Sequence, residues 1–337
     1  MENKGPFINE LPQAGEVTLL AVVLEKDLRP KRNGGFFLAL RFADRSGELD
    51  GKVWENPEIV SQSFERNDVV KVRGAVEVYN DKPQLIVSRI RRCDSKEYNA
   101  ADFYSSSARD PDEMFGELRG FVTMVQNEAL RELLDLIVSD PGIGSRLKSA
   151  PAALKIHHAY RGGLLEHILS LCNLAVALCP HYPGLNLDLL IAGAILHDLG
   201  KVETLELTGI RFAYTMRGQL IEHVTLGLEI LEHHASRVPE FPIQLKTILQ
   251  HLLVSHHGDL DKGALRRPMF PEALALSLLD LMDARLEQAF HLIDAAPSAD
   301  EFTPYVPSIE RQLFRGFRLS PAKPQGPIND AEGGVAA

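Results

Sequence analysis

The spacing of apolar residues changes period once along this chain, and that limits it to two kinds of domain in a fixed order. Between residues 15 and 92 the apolar positions fall into five short runs, 17–24, 36–42, 49–54, 69–78 and 85–90, rich in Val, Phe and Leu. Asn33-Gly34-Gly35, Asp44 to Gly47 and Asn80-Asp81-Lys82-Pro83 punctuate them, which is turn chemistry between strands. At Asp110-Pro111-Asp112-Glu113 the signal becomes that of a helix start: a capping Asp, Pro at the first position and Glu three after the cap. Phe115, Leu118, Phe121, Val122, Val125, Leu130, Leu133 and Leu134 then recur at helical spacing. Helix is predicted from there to about Arg318, interrupted at Pro141-Gly142, Pro183-Gly184 and Pro268 to Pro271.

Five strands, with a longer segment at 57–66 that has room for a short helix, fit a small Greek-key barrel. The predicted division is a β-barrel over 1–95, a Ser-rich connector and first helical segment over 96–150, an all-α domain over 151–319, and a Pro/Gly/Ala tail over 320–337 expected to be disordered. At 337 residues, 45% hydrophobic and 24% charged, the chain is long enough for two cores and ordinary for a globular protein. No run approaches the roughly 18 apolar residues that span a bilayer, and the first ten residues lack a signal-peptide core, so a soluble, cytoplasmic protein is expected. Cys93, Cys172 and Cys179 are odd in number and lack C-x-x-C spacing. They read as small buried hydrophobes, with neither a disulfide framework nor a thiolate metal site.

The net charge of −10 is carried entirely by residues 96–337, since 1–95 hold equal numbers of acids and bases. A chain this acidic is no general nucleic-acid sponge, so a polyanion must be drawn by a local basic patch or by bound cations. All twelve histidines lie between His157 and His291, which concentrates the commonest metal ligand in the second half. His197 and Asp198 end the apolar run 189–196, where an ionised Asp needs either a partner or a cation. Gly163 and Gly193 each stand four residues before a histidine, His167 and His197. Helical side chains lean toward the N-terminus, so these glycines leave room either for a metal and its waters or for close helix packing, and the metal is the preferred reading. Imidazole and carboxylate without sulfur suit Mn first, then Fe, Co, Ni or Zn, with Mg a minority choice; one or two ions are expected. With its two oxygens Asp198 can bridge a pair.

The ordered set His167, His197-Asp198, His223, His256 and Asp280, in the contexts HHAYRGGLLEHILSL, AGAILHDLGK, IEHVTLG, VSHHG and LLDLMDAR, resembles the HD superfamily of metal-dependent phosphohydrolases. The N-terminal region is similar to an OB-fold nucleic-acid-binding domain. Together they resemble bacterial 3′–5′ exoribonucleases of the YhaM type, over about residues 15–315. The resemblance implies an OB-type barrel followed by an all-α HD domain. It also implies one metal on His167, His197, Asp198 and Asp280, and a second on His223 and His256 sharing Asp198, with His257 a less certain ligand or supporting donor. On the barrel it implies a binding surface from Arg29, Lys31 and Arg32 in the first loop, Phe37 and Trp54 on the strands, and Tyr79 and Lys82 at the second loop. Phe37 and Trp54 serve equally well as barrel core, since faces alternate along a strand.

Asp198 and Lys201 are the candidate catalytic residues, although a Lys beside a helix end is favourable anyway. Asp283 lies on the Asp280 face and either orients a ligand or pairs with Arg285 or another cation, the pairing being preferred. Arg161, Arg266 and Arg267 are candidate phosphate contacts that singly read as surface. His157 and His158 could line the cleft; His181, His233, His234, His251 and His291 read as surface or packing. The partner implied is single-stranded nucleic acid, RNA favoured, with no membrane and with an oligomer left open. The reading is a metal-dependent 3′–5′ exonuclease of single-stranded RNA. The alternatives are a phosphohydrolase of small or cyclic nucleotides, and a nucleic-acid-binding module with a vestigial site.

Overall fold

The β-patterned stretch closes on itself. The computed structural model describes residues 4–31, 33–79, 82–103, 106–154, 158–208, 211–295 and 301–315. Strands β1 (Gly15–Pro30), β2 (Phe36–Asp44), β3 (Gly47–Val53), β4 (Val69–Tyr79) and β5 (Lys82–Arg92) form a closed barrel in the order β1-β2-β3-β5-β4, with α1 (Pro57–Ser61) between β3 and β4. β3 and β5 run parallel and the other neighbours antiparallel, the OB-type arrangement expected. β1 extends well beyond the apolar run 17–24 because it serves two neighbours. Residues 15–22 pair with β4 and residues 22–30 with β2, with an irregularity between Val23 and Glu25 that lets the strand turn the corner. Its second half is polar, so hydrophobic spacing does not reveal it.

Inward-pointing Leu19, Ala21, Val23, Leu38, Leu40, Phe42, Val70, Val72 and Leu85 fill the barrel. Gly51 makes room, since a Cβ there would overlap the fully buried Phe42 ring. The connector is anchored. Phe103 is buried against Leu20, Val22, Val69 and Cys93, and the Arg45 N–H donates to the Asp102 carbonyl at 3.0 Å.

The helical region comprises α2 (Pro111–Met124), α3 (Glu128–Ser139), α4 (Pro141–Leu147), α5 (Gly163–Leu178), α6 (Leu187–Leu196), α7 (Lys201–Thr204), α8 (Met216–Ile221), α9 (His223–Ala235), α10 (Ile243–Ser255) and α11 (Pro271–Ala295). Asp110 caps α2 by accepting from the amides of Asp112 and Glu113, with Pro111 at the first position, as the sequence predicts. α6 is buried on every side from Leu190 to Leu196, packed by α2, α3, α5 and α10, which is why that stretch is apolar throughout with no amphipathic stripe. It delivers His197 and Asp198 into the helical core.

Helix throughout to Arg318 needs two corrections. β6 (Leu205–Thr208) pairs antiparallel with β7 (Arg211–Tyr214), two runs too short for either period to be read from sequence. Residues 301–315 hold isolated bridges, Phe302 with Phe314 and Val306 with Arg311, where Pro304 and Pro307 lack the N–H a helix needs. The chain divides into two units, one ending at Ala284 and one starting at Arg285. Within the second, the Ser308 carbonyl accepts from Arg285 at 2.7 Å and the Ile293 carbonyl from Arg315 at 2.9 Å. The expected tail, 320–337, lies outside the described residues. Among those described, no helix is long and apolar enough to cross a membrane. Cys93 and Cys172 are buried, Cys179 is partly so, and all three are free thiols.

Candidate metal centre and nucleic-acid face

Four helix ends and one long helix bring the predicted ligands together. His197 closes α6 and His256 closes α10, each in a helical conformation with Nδ1 against the carbonyl three residues back, Ala194 at 3.0 Å and Leu253 at 2.7 Å. A carbonyl only accepts, so Nδ1 carries the hydrogen and Nε2 turns a lone pair to the centre. His167, one turn into α5, reaches the same state through Asp283, whose Oδ2 lies 2.7 Å from Nδ1. His223, the first residue of α9, has Nδ1 against the Glu222 carboxylate. Glu222 holds φ at +73°, a strained conformation for a side chain other than Gly, and its carboxylate also accepts from the His223 amide at 2.7 Å.

The inward nitrogens form two groups around Asp198. On one side His197 Nε2 is 3.4 Å from Asp198 Oδ2, and His167 Nε2 is 3.2 Å from both His197 Nε2 and Asp280 Oδ1. On the other, His223 Nε2 and His256 Nε2 lie 3.4 and 3.7 Å from Asp198 Oδ1, and His257 Nε2 lies 3.3 Å from His223 Nε2. Among the described residues, Asp198 Oδ1 and His256 Nε2 are buried with no hydrogen-bond partner. Lone pairs aimed at one another in a dry interior are unfavourable unless an electron-pair acceptor lies between them. The donor set therefore fits a divalent cation, and all seven predicted ligands, His167, His197, Asp198, His223, His256, His257 and Asp280, fall in these two groups.

The charges follow from this packing. Burial opposes ionisation of Asp198, yet Lys201, His197 and His223 hold its carboxyl well below the usual range. Burial would also lower His167, but Asp280 and Asp283 outweigh it and raise the imidazole to about 9, so a proton competes with a cation for this Nε2. His256 and His257 are kept below their ordinary value, by burial first, and so are neutral and ready to ligate. Lys201 starts α7 rather than closing a helix, and its Nζ lies 2.6 Å from Asp198 Oδ2.

Two sequence expectations need correction. Gly163 and Gly193 make room for packing and not for a metal. A Cβ on Gly163 would overlap the His158 carbonyl, and one on Gly193 would lie 2.8 Å from Leu276 Cδ2 and 3.3 Å from Leu252 Cδ1. Among the described residues Asp283 pairs with no arginine; it binds His167, His158 (Nε2 at 3.1 Å) and the Ser170 hydroxyl, and so orients a candidate ligand. Gly200 has a role that its place in the sequence does not signal. A Cβ there would overlap the His223 carbonyl and lie 2.7 Å from the Gly227 amide nitrogen, so this glycine lets α9 press against the turn after Asp198.

On the barrel, Phe37 and Trp54 are surface partners, stacked at 4.9 Å between ring centroids with Trp54 41% exposed. Lys31 lies over Trp54 at 5.4 Å and donates to its carbonyl at 3.1 Å; Lys52, which the sequence reading missed, lies over exposed Tyr79 at 4.8 Å. Arg29 belongs to β1, paired opposite Phe37, and Tyr79 and Lys82 are the facing ends of β4 and β5, so these three border the loops from the strands. Arg29 and Lys82 are exposed. Arg32 lies outside the described residues, as does His157.

The HD domain family matches residues 164–285, and the OB-fold nucleic acid binding domain family matches residues 17–92. The chain is 31% identical to the 3′-5′ exoribonuclease YhaM of Bacillus subtilis, over 92% of this chain and 97% of that one. Its counterpart in Bacillus velezensis is 32% identical, over 84% and 88%. The chain belongs to the YhaM family. Among solved structures, the second OB-fold domain of replication protein A from Methanococcus maripaludis is 22% identical over 28% of this chain and 97% of that one, with a TM-score of 0.22 that carries no weight.

The two groups of donors around Asp198 in this YhaM-family chain all lie within the HD match, as do Ser170, Gly200 and Glu222. His158 and Tyr160 precede it. Tyr160 OH lies 2.8 Å from His158 Nδ1 and donates to Glu166 at 3.1 Å, extending the support of Asp283 outward. Arg161, Arg266 and Arg267 are exposed, as are His181, His233 and His291. Buried His234 donates to the Ile230 carbonyl at 2.8 Å, and His251 accepts from the Met269 amide at 3.1 Å, both packing roles.

Proposed function

We propose that this chain is a cytoplasmic, metal-dependent exonuclease that removes nucleotides from the 3′ end of single-stranded RNA, with Mn²⁺ the favoured metal. The observation that carries this is Asp198, whose two oxygens face two separate sets of imidazole nitrogens, in a chain whose relatives along nearly its whole length are named 3′-5′ exoribonucleases. In this reading His167, His197, Asp198 and Asp280 would hold one divalent ion, and His223, His256 and His257, sharing Asp198, would hold a second. A divalent cation held there supplies Lewis acidity and acidifies water near neutral pH.

The chain's own residues do the rest. Asp283, Glu222 and the carbonyls of Ala194 and Leu253 retain the Nδ1 hydrogens and keep each Nε2 lone pair inward. Lys201 beside Asp198 offers a cation to phosphate oxygens whose charge grows during cleavage, in a buried setting where such interactions are strong. On the barrel, Phe37, Trp54 and Tyr79 stack bases while Arg29, Lys31, Arg32 and Lys82 track phosphates. Such a stacking face suits a strand better than a mononucleotide, and an intact donor set argues against a vestigial site. We place the working boundaries near residues 95, 150 and 319.

The test is hydrolysis of 5′-labelled single-stranded RNA with Mn²⁺, wild type against Asp198→Ala. A ladder of shortened labelled products that disappears in the variant supports the reading. An untouched oligonucleotide with turnover of mononucleotides points instead to a small-nucleotide enzyme.

A further inference from the structure

Four cations form a square on the barrel wall. Lys71 and Arg73 of β4 stand directly opposite Arg91 and Arg89 of β5. Strand alternation puts all four on the outer face, and with Glu16, Thr18, Trp54 and Glu55 among others they line a groove of about 1000 Å³. Like charges directly opposite each other across an antiparallel pair destabilise the sheet, so two adjacent pairs of this kind are not explained by barrel formation. Carboxylates offset them only in part. Arg73 meets Glu16 at 3.0 Å and Arg91 meets Glu97 at 2.6 Å, while Arg89 makes no ion pair among the described residues. The register shifts just past Arg73, where the Ser88 hydroxyl donates to the Arg73 carbonyl at 3.1 Å, and a bulge at this point sharpens the local twist and re-aims nearby side chains. Trp54 belongs to both surfaces, lining this groove and stacking on Phe37.

We infer that the groove carries the sugar–phosphate backbone of the single strand past the stacking face, so that the barrel engages RNA on two adjoining walls. Phe37, Trp54 and Tyr79 take bases; Lys71, Arg73, Arg89 and Arg91 take successive phosphates. This extends the reading above that the chain handles single-stranded RNA, and it assigns a surface beyond the loops and strands where binding was expected.

The test measures binding of the full-length chain to a fluorescent single-stranded oligouridylate, by anisotropy in chelator to prevent cleavage, across a salt series. Wild type is compared with Arg73→Gln/Arg89→Gln, with the charge-keeping Arg73→Lys/Arg89→Lys, and with Trp54→Ala. Losing two phosphate contacts on a single strand reduces the slope of log K against log salt by roughly 1.4, so the affinity lost over a fourfold rise in salt shrinks by about sevenfold. The Lys pair retains the wild-type slope. Both substituted positions are exposed, and the Gln pair is expected to melt no lower than wild type because a like-charge opposition is gone. Wild-type affinity and slope in the Gln pair, with binding still weakened by Trp54→Ala, overturn the groove while leaving the RNA reading intact; the square would then suit an acidic protein partner. No binding by the wild type overturns both.

Discussion

Asp283 Oδ2 lies 2.7 Å from Nδ1 of His167, across 116 residues of chain, and this hydrogen bond decides which nitrogen His167 turns to the candidate metal centre. The carboxylate accepts, so Nδ1 keeps its hydrogen and Nε2 faces Asp280 and His197. Asp283→Asn is expected to lower metal affinity by about 10–100-fold while the fold is retained. Calorimetric titration with Mn²⁺ checks this; unchanged affinity would mean that packing alone orients the ring.

Asp198 joins the two groups of candidate ligands, so a single change there should remove both proposed sites. Asp198→Asn keeps the shape of the side chain but not its charge, and RNA hydrolysis is expected to fall by roughly a thousandfold or more, as for groups that act as a unit. Elemental analysis of the purified variant should show little bound metal. Wild-type metal content with lost activity would limit Asp198 to a role in the reaction itself.

Stability against pH separates the protonated from the metal-loaded centre. Burial alone would lower His167, but Asp280 and Asp283 raise it to about 9. A group raised on folding stabilises fully below its ordinary value of 6.5 and loses that contribution as pH rises through 9. Chelator-treated protein is therefore expected to lose Tm across this window. His256 and His257, lowered by burial, act with the opposite sign below it. Metal affinity moves the other way, rising toward pH 9 as the proton leaves Nε2. Melts in chelator and in Mn²⁺ across the window check both; a chelated protein whose Tm climbs there contradicts the raised imidazole.

Trp54 stacks on Phe37 and stays 41% exposed with Lys31 and Lys52 over its ring, so a base that joins the stack would meet both an aromatic surface and cations. Trp54→Ala is expected to weaken single-stranded RNA binding by about 1–3 kcal/mol, with little change in melting temperature. Binding that stays put while stability drops would return Trp54 to the barrel core.

Gly163→Ala distinguishes room for a metal from room for backbone. The added Cβ would overlap the His158 carbonyl, so Tm is expected to fall by several degrees even in chelator. Loss of metal affinity at unchanged chelated stability would restore the metal reading of that glycine.

Much of this molecule is legible before folding. The switch from period two to helical spacing near Asp110 separates barrel from helices, and the apolar run ending in His197-Asp198 marks a charge that needs either a partner or a cation. Other features left no trace. The polar half of β1 is a strand because β2 pairs with it, and β6 and β7 are too short to declare themselves. Gly163 and Gly193 stand at a spacing that suits a metal, yet their neighbours are a carbonyl and two leucines brought by chain packing.

The sequence by itself determined which side chains could ligate and on which elements they ride, because ligand chemistry and helical period are local properties. Only the tertiary structure decided that Asp198 turns one oxygen to each group of histidines, that Asp283 serves His167 and not an arginine, and that Trp54 faces outward. Those outcomes depend on contacts of a few ångströms between segments far apart in the chain. No local pattern records such contacts, since they exist only once the helices and strands have packed.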